Sequence, residues 1–285
     1  MLIQLKGLIA LLRIKNWIKN GFVLAPLLFT GAFLNTSAVI NAFVAVMYFS
    51  MASSVTYIMN DIHDIERDRK HPQKSKTRPL AAGIVTIPTA VVLMIALLCV
   101  LASAWILMPS ILGVIIAYLV LNVAYTRYLK HQPVLDIFTI ATGFVLRVYA
   151  GAIALSVPVS GWMFITTLCL ALFLAAVKRR QELGQVGVEG REVLEKYSLF
   201  LVNRYAEMSA TGALVFYALF VVTSKPQLIN SVPLVLFGLF RYWYVVDSLD
   251  AGESPTDVLL ADWPLLMTVI AWLFVCGWAL WPSVG

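Results

Sequence analysis

Val39 to Met59 reads VINAFVAVMYFSMASSVTYIM, and Asn60 to Asp68 carries straight on as NDIHDIERD. The first stretch holds no charged residue. With a helical rise of about 1.5 Å per residue it is long enough to cross the roughly 30 Å hydrocarbon core of a bilayer. The second stretch is crowded with carboxylates. A membrane helix ending in acids is the reading that decides the fold. Inside hydrocarbon every backbone N–H and C=O must be satisfied within its own segment, which a helix achieves and an open strand does not.

The same pattern of apolar runs recurs at Trp17–Leu34, Ile84–Leu107, Ile111–Tyr128, Val134–Leu155, Trp162–Val177, Met208–Val222, Val232–Val246 and Leu265–Trp281. An all-α polytopic bundle of about nine spans follows, one domain over residues 1–285, with the shorter runs tilting or reaching into polar flanks. Composition agrees: charged residues make up 13% and hydrophobic ones 61%, with mean hydropathy +0.87, where a soluble domain carries about 25% charge. A soluble fold is excluded, and the runs are too long and unbroken for barrel strands. Residues 1–20, with Lys6, Arg13, Lys15 and Lys19, read as a basic interfacial helix. A secretory signal is excluded by charges that fall too late and by the lack of a small-residue cleavage site. Cys99, Cys169 and Cys276 sit in apolar runs without pairing or metal spacing and imply no redox chemistry.

The connections alternate in charge. Gly31–Ser37, Leu107–Ser110 and Leu155–Gly161 carry none, and Thr223–Pro233 only Lys225. Asp61–Arg78, Arg127–Asp136, Lys178–Glu207 and Asp247–Asp262, with the N-terminal helix, hold almost every other Lys and Arg and all the acids. By the positive-inside rule this charged face and the N-terminus are cytoplasmic. Acids contribute little to orientation, so the cluster at Asp61 needs another cause.

If the helix runs on past Met59, Asp61, Asp64 and Asp68 share one face, where like charges repel. A hard divalent cation removes that cost, and Mg²⁺ typically takes one or two carboxylates plus phosphate oxygens and water. Lys70, Lys74, Lys76 and Arg78 follow closely, so the segment reads as a metal and diphosphate site. The plainer alternative is a solvated helix end neutralised by those bases.

The stretch Asn60–Gly83, NDIHDIERDRKHPQKSKTRPLAAG, resembles the first aspartate-rich motif of the UbiA superfamily of intramembrane prenyltransferases. It shares N-D-x-x-D-x-x-x-D, then H-P-x-K and R-P with one extra residue before the Arg, then A-A-G. The resemblance implies a nine-helix bundle whose polar cavity opens to the cytoplasm, with residues 61–83 as a catalytic loop and 178–207 as a second cytoplasmic loop. Members that prenylate aromatic rings carry a second acidic motif after the sixth span. Here that place reads Lys178-Arg179-Arg180-Gln181-Glu182-Leu183, and Asp247 and Asp250 come only later.

This departure resembles one branch of the superfamily, which transfers phosphoribose from phosphoribosyl diphosphate to decaprenyl phosphate. The likeness extends over RIKNWIKN (Arg13–Asn20), LNVAYTRYLK (Leu121–Lys130), VLDIFTIATGFVLRVYAGA (Val134–Ala152), ALFLAAVKRRQEL (Ala171–Leu183) and RYWYVV from Arg241.

What the resemblance implies for the site is a Mg²⁺ ion held by Asp61, Asp64 and Asp68, which serve as the catalytic residues. Lys15, Lys19, Lys74, Arg78, Lys178 and Arg179 meet donor phosphates, and Asn20, Asn60 and Glu182 join the substrate-binding set. Arg147 lies well inside the fifth span, where a charge is costly unless it faces a cavity or partner. It reads as a polar wall near the lipid phosphate, or else as half of a buried ion pair. Asn122 and Tyr125 reach the ribose or simply anchor the helix end. Trp17, Trp162, Trp243, Trp263 and Trp281 read as interfacial anchors. The metal draws charge off the leaving diphosphate, the ribose carbon turns oxocarbenium-like, and the already anionic lipid phosphate attacks without a strong base. The expected partners are phosphoribosyl diphosphate, polyprenyl phosphate and membrane lipids, with no nucleic acid; chain length and a homo-oligomer are left open. Two competitors are an aromatic prenyltransferase using a polyprenyl diphosphate and an anion transporter. The missing second acidic motif weighs against the first, and the lack of an internal repeat against the second.

Overall fold

A computed structural model describes residues 2–70, 72–185, 192–248 and 255–281; His71 and Asp250 lie outside them. Among the described residues there are helices and no strands. In chain order they are α1 (Leu2–Leu12), α2 (Ala25–Thr30), α3 (Thr36–His63), α4 (Ile65–Lys70), α5 (Lys74–Thr77), α6 (Ile87–Ala102), α7 (Ala104–Leu107), α8 (Leu112–Arg127), α9 (Leu135–Ala154), α10 (Gly161–Gln185), α11 (Leu199–Ser224), α12 (Val232–Ser248), α13 (Pro255–Ala261) and α14 (Trp263–Ala279). Local chemistry sets several starts. Asn35, Thr86, Ser198 and Asp262 each cap the helix that follows by accepting from the backbone N–H three residues on, satisfying one of its orphan donors.

Seven helical segments are long and apolar enough to cross a membrane, and an eighth, Trp263–Ala279, is apolar but has 17 residues. The first expected span, Trp17–Leu34, is not one α-helix. It is a 3₁₀ segment, Ile14–Leu24, followed by α2, a left-handed Gly31 and a short 3₁₀ turn at Ala32–Leu34. Polar side chains explain this: Trp17 Nε1 donates to Ser54 Oγ (3.1 Å) and Asn20 Nδ2 to Ser50 Oγ (2.9 Å), so α3 holds the segment in place of a regular helix.

Nor do residues 1–20 form one interfacial helix. α1 stops at Leu12, Arg13 adopts a left-handed conformation (φ 50°, ψ 48°), and the 3₁₀ segment begins. α1 packs on protein as well as facing outward: Leu11 is buried with Ile58, Ile65, Leu80, Val85 and Ala90. The two loops expected on the cytoplasmic side are also more helical than expected. α3, α4 and α5 cover much of 61–83, α10 runs on through Lys178 to Gln185, and α11 already begins at Leu199. An apolar run ends at its first charge, whereas backbone hydrogen bonding does not.

α3 is the central element, packed by α6, α8, α9 and the first 3₁₀ segment around Phe49, Ala52, Val55, Leu101, Ile115, Tyr118 and Ala150. A second core joins α10, α11 and α12 through Phe173, Val202, Ala206, Tyr242 and Val246. Ile137 and Ala141 on α9 against Ala171 and Ala175 on α10 link the two. Outward positions such as Val92, Val120, Phe240, Phe274 and Trp278 are exposed and apolar, as a hydrocarbon surround requires. At Gly151 the backbones of α9 and the 3₁₀ segment nearly touch: an added Cβ would lie 1.9 Å from the Val23 carbonyl oxygen.

Candidate active site

The helix carrying the aspartates does not run through. α3 ends at His63, Asp64 turns (φ −94°, ψ 8°), and α4 resumes at Ile65. The three carboxylates therefore do not share one face. Asp61 and Asp68, each 2% exposed, converge on Arg78, whose Nη1 donates to Asp61 Oδ1 (2.5 Å) and Asp68 Oδ2 (2.7 Å). Arg13 Nη2 donates to the same Asp61 oxygen at 2.5 Å, and its guanidinium lies 4.9 Å from the centre of the Tyr57 ring. Asp64 is turned away, accepting from Lys130 Nζ (2.8 Å) and Arg67 Nη2 (2.9 Å). Asn60 stands beside them with Thr126 Oγ1 3.5 Å from its Oδ1. Among the described residues no three His, Cys, Asp or Glu are gathered as a metal site.

Burial pushes the Asp64 carboxyl up, but the Lys130 hydrogen bond and the charges of Arg67, Lys130 and His63 outweigh it and hold the group below its ordinary value. A carboxyl depressed on folding adds stability above the unfolded-state value, and that stability is lost as pH falls through the folded one. Lys130→Met is expected to cost about 3 kcal/mol, because it leaves a buried carboxylate with only a half-exposed Arg67. Melting curves of the detergent-solubilised protein should show this loss near neutral pH and a smaller difference from the parent at pH 4. An equal difference at both would mean the pair is not ionic.

On the inner side of Arg13 lies a cationic pole. Arg147 on α9 is 5% exposed. Its Nε donates to Asn20 Oδ1 (2.8 Å), Nη1 to the Gly143 carbonyl (2.7 Å), and Nη2 to Ser53 Oγ and Tyr118 Oη (both 3.3 Å). The rings of Phe49, Tyr118 and Phe144 surround it at 5.0, 5.0 and 5.3 Å. Every one of these partners is neutral, and among the described residues no carboxylate pairs with Arg147. The expected alternative of a buried ion pair is thus replaced by a neutral cage. Lys19 stands near enough to Arg147 and Arg13 to feel both charges and makes no ion pair among the described residues. Asn20 is wholly buried; with its oxygen on Arg147 and its nitrogen on Ser50, it orients Arg147 where substrate contact was expected.

Other expected residues lie elsewhere. Lys15 pairs with Asp257 at the exposed surface. Arg179 is wholly buried and bonded to Asp136 Oδ2 (2.6 Å), Glu182 Oε2 (2.7 Å) and Tyr125 Oη (3.3 Å). Tyr197 Oη donates to the other Asp136 oxygen (2.7 Å). Arg179, Glu182 and Tyr125 therefore form a knot tying α8, α9, α10 and the turn before α11, in which two carboxylates offset the buried guanidinium. Asn122 donates back to the Tyr118 carbonyl (2.8 Å). Lys74 opens α5 and Lys178 lies on α10, both half-buried. Arg13, Lys130, Ser53, Tyr57 and Tyr118 join the site without having been expected there.

The UbiA prenyltransferase family profile matches residues 22–260. The chain is 32% identical over 287 residues to decaprenyl-phosphate phosphoribosyltransferase of Mycobacterium tuberculosis, covering 95% of this chain and 93% of that protein. It is 33% identical over 303 residues to the protein of the same name from Mycolicibacterium smegmatis, covering 97% and 93%. Among solved structures it superposes on a UbiA homolog from Archaeoglobus fulgidus bound to GPP and Mg²⁺, with TM-score 0.71, 19% identity, and 96% and 99% of the two chains covered. Fold, aspartate motif and relatives agree over nearly the whole length: this integral, multi-pass membrane protein belongs to the UbiA prenyltransferase family.

Proposed function

We propose that this chain is an Mg²⁺-dependent polyprenyl-phosphate phosphoribosyltransferase. It moves 5-phosphoribose from phosphoribosyl diphosphate to a polyprenyl phosphate such as decaprenyl phosphate and releases diphosphate. The working face is cytoplasmic, in a bacterial plasma membrane. The names of the relatives support the reaction class. The observation that carries the reading further is the imbalance of charge. One buried acid pair, Asp61 and Asp68, faces Arg78 and Arg13, while Arg147 beside them has no acid partner among the described residues, and Lys19 feels only Asp257, an acid already paired with Lys15. Two substrates that both bring phosphate would supply the missing negative charge.

Asp61 and Asp68 fit a hard divalent cation: they offer only oxygens, both are buried, and both already point at one cationic group. Mg²⁺ there would neutralise charge building up on the leaving diphosphate. Arg78 and Arg13 fork onto donor phosphate oxygens. Arg147, kept in orientation by Asn20, Ser53 and Tyr118, offers its remaining donor capacity to the lipid phosphate. That phosphate is already anionic, so positioning it for attack on the ribose carbon replaces a general base.

The fold neighbour solved with GPP favours one competing scheme, in which the diphosphate arrives on the lipid. A single pair of assays separates them. Purified protein with Mg²⁺ should carry radiolabel from phosphoribosyl diphosphate into the organic phase with polyprenyl phosphate as acceptor. It should also melt several degrees higher with phosphoribosyl diphosphate than with geranyl diphosphate. Stabilisation in the reverse order, together with prenylation of an aromatic acceptor, would overturn the proposal.

A further inference from the structure

We infer that Arg78 and Arg13 are stand-in counter-ions for the Asp61–Asp68 pair, and that both shift to phosphate oxygens when a divalent cation takes their place. Metal and phosphoanion are then admitted together and poorly apart. This rests on the metal reading proposed above.

Three observations carry it. First, one nitrogen of Arg78 bridges an oxygen from each acid, and a second guanidinium, from Arg13, shares the Asp61 oxygen. Two negative charges are matched by two positive ones, so the cluster is neutral without any ligand. Second, the order of layers is acids inside and arginines outside: the carboxylates are 2% exposed, while the side chains of Arg78 and Arg13 are 22% and 24% exposed. The acids are thus the less accessible partners in each of these pairs. Third, the surroundings are already positive: Arg147 has no acid partner among the described residues, and Lys19 feels Arg147 and Arg13 more strongly than Asp257, which already pairs with Lys15.

A divalent cation entering alone would raise the local charge by two beside four cations already there. At short range in a poorly screened site such repulsion is strong. A diphosphate-bearing anion arriving with it cancels that excess and gives both guanidinium groups a bidentate partner as good as the carboxylates they leave. Both arginines have a backbone suited to the exchange. Arg13 is the left-handed junction between α1 and the 3₁₀ segment, and Arg78 is an extended residue directly after α5, so a side chain can swing without unwinding a helix.

The test uses Mn²⁺ as the metal and inorganic pyrophosphate as the anion, with free Mn²⁺ read by its electron paramagnetic resonance signal over the detergent-purified full chain. After correction for Mn²⁺–pyrophosphate in solution, saturating pyrophosphate should tighten Mn²⁺ binding to the parent protein about tenfold or more, within the usual range of coupling between two ligands. Arg78→Gln should bind Mn²⁺ alone about tenfold more tightly than the parent and lose most of the coupling. Arg13→Gln removes the second guanidinium from the same oxygen and should shift binding in the same direction, which keeps the inference testable if Arg78→Gln does not fold. Unchanged or weaker Mn²⁺ binding in the folded variants overturns the stand-in role. Asp61→Asn tells the two ideas apart: if it leaves Mn²⁺ binding intact, the metal assignment itself has failed, whatever the arginines do.

Discussion

Asp61→Asn is expected to lower turnover at least about a hundredfold, the scale on which a single preorganised electrostatic group acts in a transition state. Among the described residues its Oδ1 alone accepts from two guanidinium groups, Arg13 and Arg78. Amide for carboxylate removes half of the acid pair and leaves both arginines short of charge. Asp61→Glu is the companion variant, since it keeps the charge and moves it by one methylene. It should elute and melt like the parent while remaining slow, which separates loss of geometry from loss of fold. Asp64→Asn should behave differently, because Asp64 faces Lys130 and Arg67 and holds the end of α3 to the turn after α8. Its main effect should be on melting, with turnover falling much less. Transfer of label into the organic phase, measured beside melting curves for all three variants, decides the matter. A fully active, stable Asp61→Asn would remove that residue from the chemistry.

Among the described glycines, Gly151 should tolerate an added methyl least. The new Cβ would be 1.9 Å from the Val23 carbonyl oxygen and 3.2 Å from Pro26 Cδ. Two backbones meet there, so no flexible side chain can yield. Overpacking usually costs about 1–3 kcal/mol, and a clash with backbone belongs at or above the top of that range. The 3₁₀ segment must move off α9, and Asn20 with it, so Arg147 loses the acceptor that orients its Nε. Gly143→Ala on the same helix is the control, since its Cβ would meet only Arg147 Nη1 at 3.5 Å and Tyr118 at 3.7 Å, ordinary contacts. Gly151→Ala should give little folded protein by gel filtration and Gly143→Ala a near-normal yield. Equal yields would mean that the approach at Val23 is looser than described.

The class of the fold is legible because hydrocarbon imposes one rule on every residue of a span, and the rule shows in composition alone. Asp61, Asp68 and Arg78 are legible for a related reason: they are close in sequence, so local spacing brings them near one another. What sequence spacing hides is which cation meets which acid at long range. Arg179 reads as one of three bases in a row, yet Asp136, forty-three residues away, makes it part of a buried knot. Arg13 and Lys130 read as orientation signals and instead meet Asp61 and Asp64. The turn at Asp64 is hidden too, since backbone bonds of helical type flank it, from Asp64 to Asn60 and from Asp68 to Asp64. Arg147 shows both sides: its depth marks it as a charge needing an explanation, but besides Gly143 and Phe144 of its own helix the neutral oxygens and rings around it come from α3, α8 and the first 3₁₀ segment, which only packing assembles.

That first 3₁₀ segment also bears on how the chain enters a membrane. Asn16, Lys19 and Asn20 stand among its residues, and a polar side chain such as that of Asn20 is costly in hydrocarbon without a partner. The groups that satisfy Asn20 and Trp17, Ser50 and Ser54, are made thirty and thirty-seven residues later. A nascent chain that has emerged only as far as Leu34 therefore presents the translocon with a poor candidate for partitioning, and it becomes a good one when α3 arrives to take up those hydrogen bonds. The two limbs of this opening hairpin are therefore expected to partition into lipid as a pair, and they carry Asn20, Phe49 and Ser53, part of the seat for Arg147, before α9 leaves the ribosome.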